Sequence, residues 1–262
     1  MSFKDYFSTQ ADAYSRFRPR YPAGLFEWLA AQAPARERAW DSATGNGQAA
    51  LDLARHFAAV VATDASARQI SHAPDLAGVE YAVCRSEATP LASASVDVVF
   101  VAQALHWFDL DAFHEEVRRV CRTGGLLAVC SYGLFRIAPA IDEVVNYFYA
   151  DTLGPYWPPE RRLVETGYRD LPFPFATIPH PGFSMTRAWH LGDLIGYLSS
   201  WSAVARYRAR ENRDPLPDVA AALADVWGDP ADEREIRWPL NLRVGKVDAE
   251  QKATARNERG GS

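Results

Sequence analysis

The stretch WDSATGNGQ, residues 40–48, decides how this chain is read. It lies between residues 38–42, which read as a strand, and residues 48–57, which read as a helix. Glycines are needed in such a turn because the chain reverses sharply and a ligand must approach the backbone. Asp64 ends the next predicted strand, residues 60–64, 17 residues after Gly47. A carboxylate at that strand end can accept hydrogen bonds from both hydroxyls of a ribose.

An adenosine-type cofactor follows from this pairing, and two such cofactors fit. Gly45-Asn-Gly47-Gln-Ala-Ala50 satisfies the G-x-G-x-x-A pattern of nicotinamide dinucleotide folds. S-adenosylmethionine is favoured by Asp41, whose carboxylate suits an ammonium group and repels a diphosphate. It is also favoured by the 35 or so largely helical residues before the loop, since dinucleotide domains often begin with this strand. Asp41, Thr44, Gly45, Gly47 and Asp64 are therefore the candidate cofactor residues of this segment.

Outward from the loop the pattern alternates. Residues 79–83, 96–101 and 126–131 read as further strands, and residues 110–121 as an amphipathic helix with Asp109 as its N-cap. Gly124-Gly125 supplies the turn after that helix. Strands separated by helices predict an α/β, doubly wound, mostly parallel sheet with right-handed crossovers. Upstream, Pro22 opens a helix whose apolar face is Leu25, Phe26, Leu29 and Ala30. Downstream, residues 139–153 read as a helix, and residues 171–181 carry four prolines that exclude one. Residues 183–188 read as a strand, 190–201 and 217–227 as helices, and 236–244 as a last strand interrupted by Pro239. The expected organisation is a single domain over residues 1–247. It comprises an N-terminal helical part (1–35), a cofactor core (36–131), a substrate-side cap (132–234) and the last strand (235–247). Residues 248–262 read as a disordered tail.

Composition limits the function classes. Lys and Arg total 28 against 33 Asp and Glu, a net charge of -5 that argues against a general nucleic-acid binder. The three cysteines, Cys84, Cys121 and Cys130, are widely spaced and suit a reducing cytoplasm. No apolar stretch has the length of a membrane span. The expected partner is a small molecule, and the expected state a monomer or homodimer.

Further motifs carry a resemblance. RFRPRYP (16–22), WDSATGNGQ (40–48), VVATD (60–64), RSEATPL (85–91), SVDVVFVAQALHWFD (95–109) and RRVCRTGG (118–125) stand in this order. SSWSAVARY (199–207) and RWPLNLRVG (237–245) follow more distantly. The set resembles class I S-adenosylmethionine-dependent methyltransferases, in particular the small-molecule branch with trans-aconitate-type enzymes. The resemblance implies a Rossmann-like sheet of seven strands, with an N-terminal helical lid and a helical cap before the last strand. It places Ala65, Glu87 and Ala88 near the adenine and Gln103 near the sulfonium. Tyr14, Arg18 and Tyr21 match the lid. Ala43 stands where many relatives have a first glycine, and Thr123 where a proline is common.

Methyl transfer from a sulfonium is an in-line displacement that depends on proximity and alignment. An ionised carboxylate needs no base, whereas an alcohol, amine or carbon acid usually does. His106 is the candidate base, with helix capping or packing beside Trp107 as the plain structural alternative. His106, Asp109 and His114 lack the spacing of a full metal-ligand set. Candidate acceptor contacts are Trp107, Tyr132, Tyr156, Trp157, Trp201 and Tyr207, with Arg18, Arg136 and Arg206 as carboxylate clamps. Carboxyl O-methylation of a small molecule is the favoured reading. A C- or N-methyltransferase using His106, and a nicotinamide-dependent oxidoreductase, are the alternatives.

Overall fold

The structure, a computed structural model, describes residues 19–248. Tyr14, Arg18 and the segment 249–262 lie outside the described residues. The described chain divides into two units, one holding Tyr21–Gly133, Leu163–Phe183 and the chain from Leu240, the other Leu134–Arg162 and Ser184–Pro239.

In the first unit, β1 (Arg38–Ser42), β2 (Ala59–Asp64), β3 (Val79–Val83), β4 (Val96–Ala102) and β5 (Cys121–Tyr132) pair in parallel. The long strand β8 (Arg234–Lys246) joins antiparallel to β5 from Leu240 onward, and the two-residue β6 (Ala176–Thr177) pairs antiparallel with β8. The order is β3-β2-β1-β4-β5-β8-β6, a mostly parallel sheet of seven strands. Parallel central strands are buried on both faces, so they read as near-continuous apolar runs. Accordingly Val96 through Val101 are all buried.

Side-chain alternation sorts these runs into two cores. Phe100, Ala39, Val60 and Leu126 face the helices Ala23–Gln32 and Gln48–Leu53 through Leu25, Phe26, Ala49 and Leu53. Trp40, Val99, Val101 and Leu127 face the opposite side, where Phe113, Val117 and Val120 of the helix Leu110–Val120 pack. The predicted apolar face Leu25, Phe26, Leu29 and Ala30 is the buried face of its helix, and Asp109 caps the later helix by accepting from the Ala112 amide.

The Gly124-Gly125 turn lies within β5. The β4–β5 register passes from Val96↔Cys121 to Val98↔Leu126, so residues 122–125 bulge between the pairs. Gly124 is left-handed (φ +78°), and a Cβ on Gly125 would sit 2.9 Å from the Arg122 carbonyl oxygen.

In the second unit, β7 (Ser184–Trp189) pairs antiparallel with β8 as far as Pro239. The helix expected over residues 139–153 is α-helical over Pro139–Tyr147 and then widens into a π turn at Phe148–Thr152 before Gly154-Pro155 stops it. The helix expected to reach Trp201 ends at Ser199, because Trp201 turns extended and begins a new helix, Ser202–Glu211. A second helix there was not predicted. Phe135, Trp189, Tyr197, Trp201 and Trp238 form the aromatic centre of this unit, with ring centroids 5.3–6.5 Å apart.

Asp97 is fully buried at the start of β4, the opposite end of the strand from Gln103. It accepts from the amides of Glu37 (3.0 Å) and Arg38 (2.9 Å) and from Arg122 (2.9 Å). Asp97→Ala is expected to lower unfolding free energy by about 2–4 kcal/mol, because those donors lose their acceptor. Urea denaturation measures this, and a change below the error of the method would show that the network contributes nothing.

Candidate functional site

The carboxyl-terminal ends of β1, β2 and β4 lie side by side, since these strands are parallel neighbours in register. In open α/β sheets ligands bind at this edge, where strand order reverses. Here the reversal falls between β1 and β4.

The loop after β1 contains three left-handed residues: Ala43 (φ +55°), Gly45 (φ +59°) and Gly47 (φ +85°). Alanine at position 43 takes a conformation that favours glycine, at a cost of roughly 1 kcal/mol. A side chain at Gly47 would be strained by the left-handed backbone and would displace the Tyr81 hydroxyl, 2.7 Å from where a Cβ would sit. The loop is tied down by the Thr44 amide on the Thr63 carbonyl (2.9 Å) and the Gly47 amide on the Thr44 carbonyl (3.1 Å).

Asp64 makes the longer-range tie. Its two carboxylate oxygens accept from the Gly45 amide (2.9 Å) and the Ser66 amide (2.8 Å). Each oxygen can accept more than one hydrogen bond, so ribose hydroxyls can be added without breaking these.

Asp41 is buried beneath the same loop, where it accepts from the Thr44 hydroxyl and the Ala50 amide. Burial pushes its pKa up from 3.8 to about 7, and the Asp64 charge adds to the rise, while the two hydrogen bonds oppose it. A ligand ammonium beside Asp41 would supply the missing counter-charge. The donor set therefore fits the cofactor: a carboxylate for the ammonium, a carboxylate for the ribose and glycines allowing close approach.

The loop after β3 carries Glu87, Ala88 and the buried Ser86, whose hydroxyl bonds to that of Ser42 at 2.8 Å. Burial opposes ionisation of Glu87, but bonds from Arg85 and the Asp109 amide outweigh it and hold the carboxyl below its usual range. This loop is anchored by Glu116 and Arg119, which sequence reasoning missed. Glu116 accepts from the Thr89 amide (2.8 Å) and hydroxyl (2.6 Å), and Arg119 donates to the carbonyls of Thr89 and Leu91. Ala65 and Ala88 are exposed beside their respective strand ends.

At the end of β4, Gln103 is left-handed (φ +57°) and its side-chain amide donates to the Tyr132 carbonyl at 3.0 Å. Such backbone strain in a residue other than glycine concentrates at functional sites. His106 and Trp107 follow in a single 3-10 turn, with ring centroids 4.5 Å apart, and Trp107 is 39% exposed. Nδ1 of His106 lies 2.9 Å from the hydroxyl of Tyr168. Nothing in the sequence flagged Tyr168, which is 62 residues away in a stretch, residues 161–170, to which no element was assigned. Tyr21 packs edge-on against Phe26 and Phe100, with centroids at 6.1 and 5.8 Å.

The remaining acceptor candidates lie in the second unit. Trp157 and Trp201 are 5.6 Å apart, Tyr156 and Tyr207 are 4.9 Å apart, and Arg206 donates to the Tyr156 carbonyl at 3.4 Å. Arg136 there bridges through its backbone to Arg237. His114 is buried edge-on against Phe175, and burial, with the Arg118 charge, lowers its pKa to about 4. Among the described residues, no helix is long and apolar enough to cross a membrane.

Because the pKa of Asp41 in the fold lies above its unfolded value, the folded state holds the proton more tightly. That contribution is full below pH 3.8 and is lost as pH rises through about 7. Asp41→Asn is therefore expected to stabilise the cofactor-free protein by up to about 4 kcal/mol at pH 8, with the gain shrinking toward pH 4. Thermal melts across this range test it, and an equal or lower melting temperature at pH 8 would show that the buried charge is already compensated.

Residues 40–129 match the family model described as a methyltransferase domain. The chain is 36% identical over 229 residues to a protein of Dictyostelium discoideum assigned as a methyltransferase, covering 86% of this chain and 87% of that one. A solved structure from Anaeromyxobacter dehalogenans, described as a type II methyltransferase, is 46% identical. It superposes with a TM-score of 0.86 over 88% of this chain and 99% of that chain. A Bacillus subtilis protein, 14% identical with a TM-score of 0.51, shares the fold.

Proposed function

The chain belongs to the class I S-adenosylmethionine-dependent methyltransferases, and from that premise we propose that it methylates a small organic acid at a carboxylate oxygen. When bound, the cofactor supplies an electrophilic methyl carbon, whose bond to sulfur breaks as the acceptor oxygen attacks. The chain's own part is to hold and align. Asp41 offsets the ammonium, Asp64 takes the ribose hydroxyls, and Glu87 with Ala65 and Ala88 borders the adenine. Gln103 and His106 stand where the acceptor meets the methyl group.

The observation that carries the carboxylate reading is the 2.9 Å contact between Nδ1 of His106 and the Tyr168 hydroxyl. A phenol is the stronger donor and a neutral imidazole nitrogen the stronger acceptor, so the shared proton is assigned to the oxygen. Nδ1 is then occupied and Nε2 carries the other proton. An imidazole in that tautomer donates a hydrogen bond and cannot act as a base. It suits an acceptor that is already anionic at neutral pH. The chemistry of Arg206 with Trp157, Trp201 and Tyr207 also suits an apolar acid.

Methylation at nitrogen, carbon or an alcohol is the second reading. It needs the opposite tautomer, with Nδ1–H donated to Tyr168 and Nε2 unprotonated and able to take a proton. The match of residues 40–129 to the methyltransferase model goes against the nicotinamide reading.

A panel of carboxylic acids, amines, phenols and carbon acids with methyl-labelled cofactor separates the two. The expected products are base-labile methyl esters, with His106→Ala slowing transfer by about tenfold, as for a lost orienting hydrogen bond. Methylation confined to amines, phenols or carbon acids, with a loss nearer a thousandfold in that variant, would establish proton removal instead.

A further inference from the structure

We infer that Tyr168 is a positioning residue that fixes the ring orientation and tautomer of His106, and that the turn carrying it is built for that task. The inference rests on the reading above only in placing His106 beside the acceptor.

The short helix Arg161–Glu165 ends in a left-handed Gly167, with the Gly167 amide on the Val164 carbonyl (3.0 Å) and the Tyr168 amide on the Leu163 carbonyl (2.9 Å). These two bonds form a Schellman-type stop, which requires one left-handed residue. Here there are two, because Tyr168 is also left-handed (φ +59°). For a bulky residue that conformation is a genuine outlier, and ending the helix does not explain it.

The surroundings hold Tyr168 in this state. A Cβ on Gly167 would lie 2.8 Å from the Cβ and Cγ of Asn241, so the turn is pressed against β8. Arg243, also on β8, donates to the carbonyls of Tyr168 and Leu171 and lies over the Phe173 ring at 4.6 Å. The Tyr168 side chain is 1% exposed, and its ring lies nearly parallel to that of His106, 5.8 Å between centroids at 27°. Its hydroxyl meets Nδ1 of a histidine that follows a second left-handed residue, Gln103. Two strained backbones thus converge on one hydrogen bond. A tyrosine serving only the core would need neither the strain nor a half-exposed partner at the end of β4.

The hydrogen bond leaves a signature that packing alone does not. In protein labelled with nitrogen-15 at histidine, His106 is expected to show an unprotonated Nδ1 and a protonated Nε2, without any acceptor present. Tyr168→Phe keeps the ring and removes the hydroxyl, and it is expected to shift His106 to a mixture of tautomers. The same variant should lower kcat by about twofold to threefold, less than the loss in His106→Ala, while leaving KM for the cofactor unchanged within about twofold. His106→Ala combined with Tyr168→Phe should be no slower than His106→Ala alone, since the tyrosine acts through the histidine. A protonated Nδ1 in the unaltered protein would overturn the inference. So would a Tyr168→Phe variant with unchanged kcat or fully additive losses. The tautomer is read without any acceptor and the methylated product is read separately, so a failure of this inference is distinguishable from a failure of the carboxylate reading.

Discussion

The carboxylate of Asp64 is the constraint on which the site depends. By accepting from the Gly45 and Ser66 amides, it fastens the loop after β1 to the end of β2. A loop with left-handed residues at positions 43, 45 and 47 has little intrinsic preference for its shape. It keeps that shape because one end continues a central buried strand, the other opens a packed helix, and Asp64 pins the middle. The acid inferred to receive the ribose therefore also assembles the surface on which the ribose would lie.

Asp41 and Asp97 show how differently two buried carboxylates on neighbouring strands can be used. Asp97 has two backbone amides and an arginine, and it closes the end of the sheet away from the site. Asp41 is equally enclosed, but among the described residues a hydroxyl and one amide support its charge, and its pKa rises to about 7. A buried charge lacking full compensation is costly unless a ligand completes it. The first carboxylate is supported by the protein itself, and we propose that the second is completed by the cofactor. That difference separates structure from function more clearly than burial does.

Much of this was legible in the sequence, for reasons that can be named. Central parallel strands announce themselves as apolar runs, and glycines between a strand and a helix mark a sharp turn, so the left-handed loop at Gly45 and Gly47, with Asp41 and Asp64 near the ends of β1 and β2, could be picked out directly as a candidate site. Asp109 was readable as a helix cap by its place before an amphipathic run. What could not be read depends on contacts between distant segments. Tyr168 meets His106 across 62 residues, and Glu116 steadies the loop at Thr89 across 27. The break at Trp201 and the π turn after Tyr147 arise from tertiary packing and a following Gly-Pro, which helical periodicity does not register. Ala43 shows the limit of residue-type rules, since it adopts a glycine-like conformation that its identity argues against.

The most direct test of the central claim is a crystal structure of the protein with S-adenosylhomocysteine. The account predicts the ribose hydroxyls on the Asp64 carboxylate with the Gly45 amide still bound to it, and the amino group within hydrogen-bonding reach of Asp41. A nucleoside bound elsewhere, with the 43–47 loop and Asp64 free of ligand contacts, would contradict it.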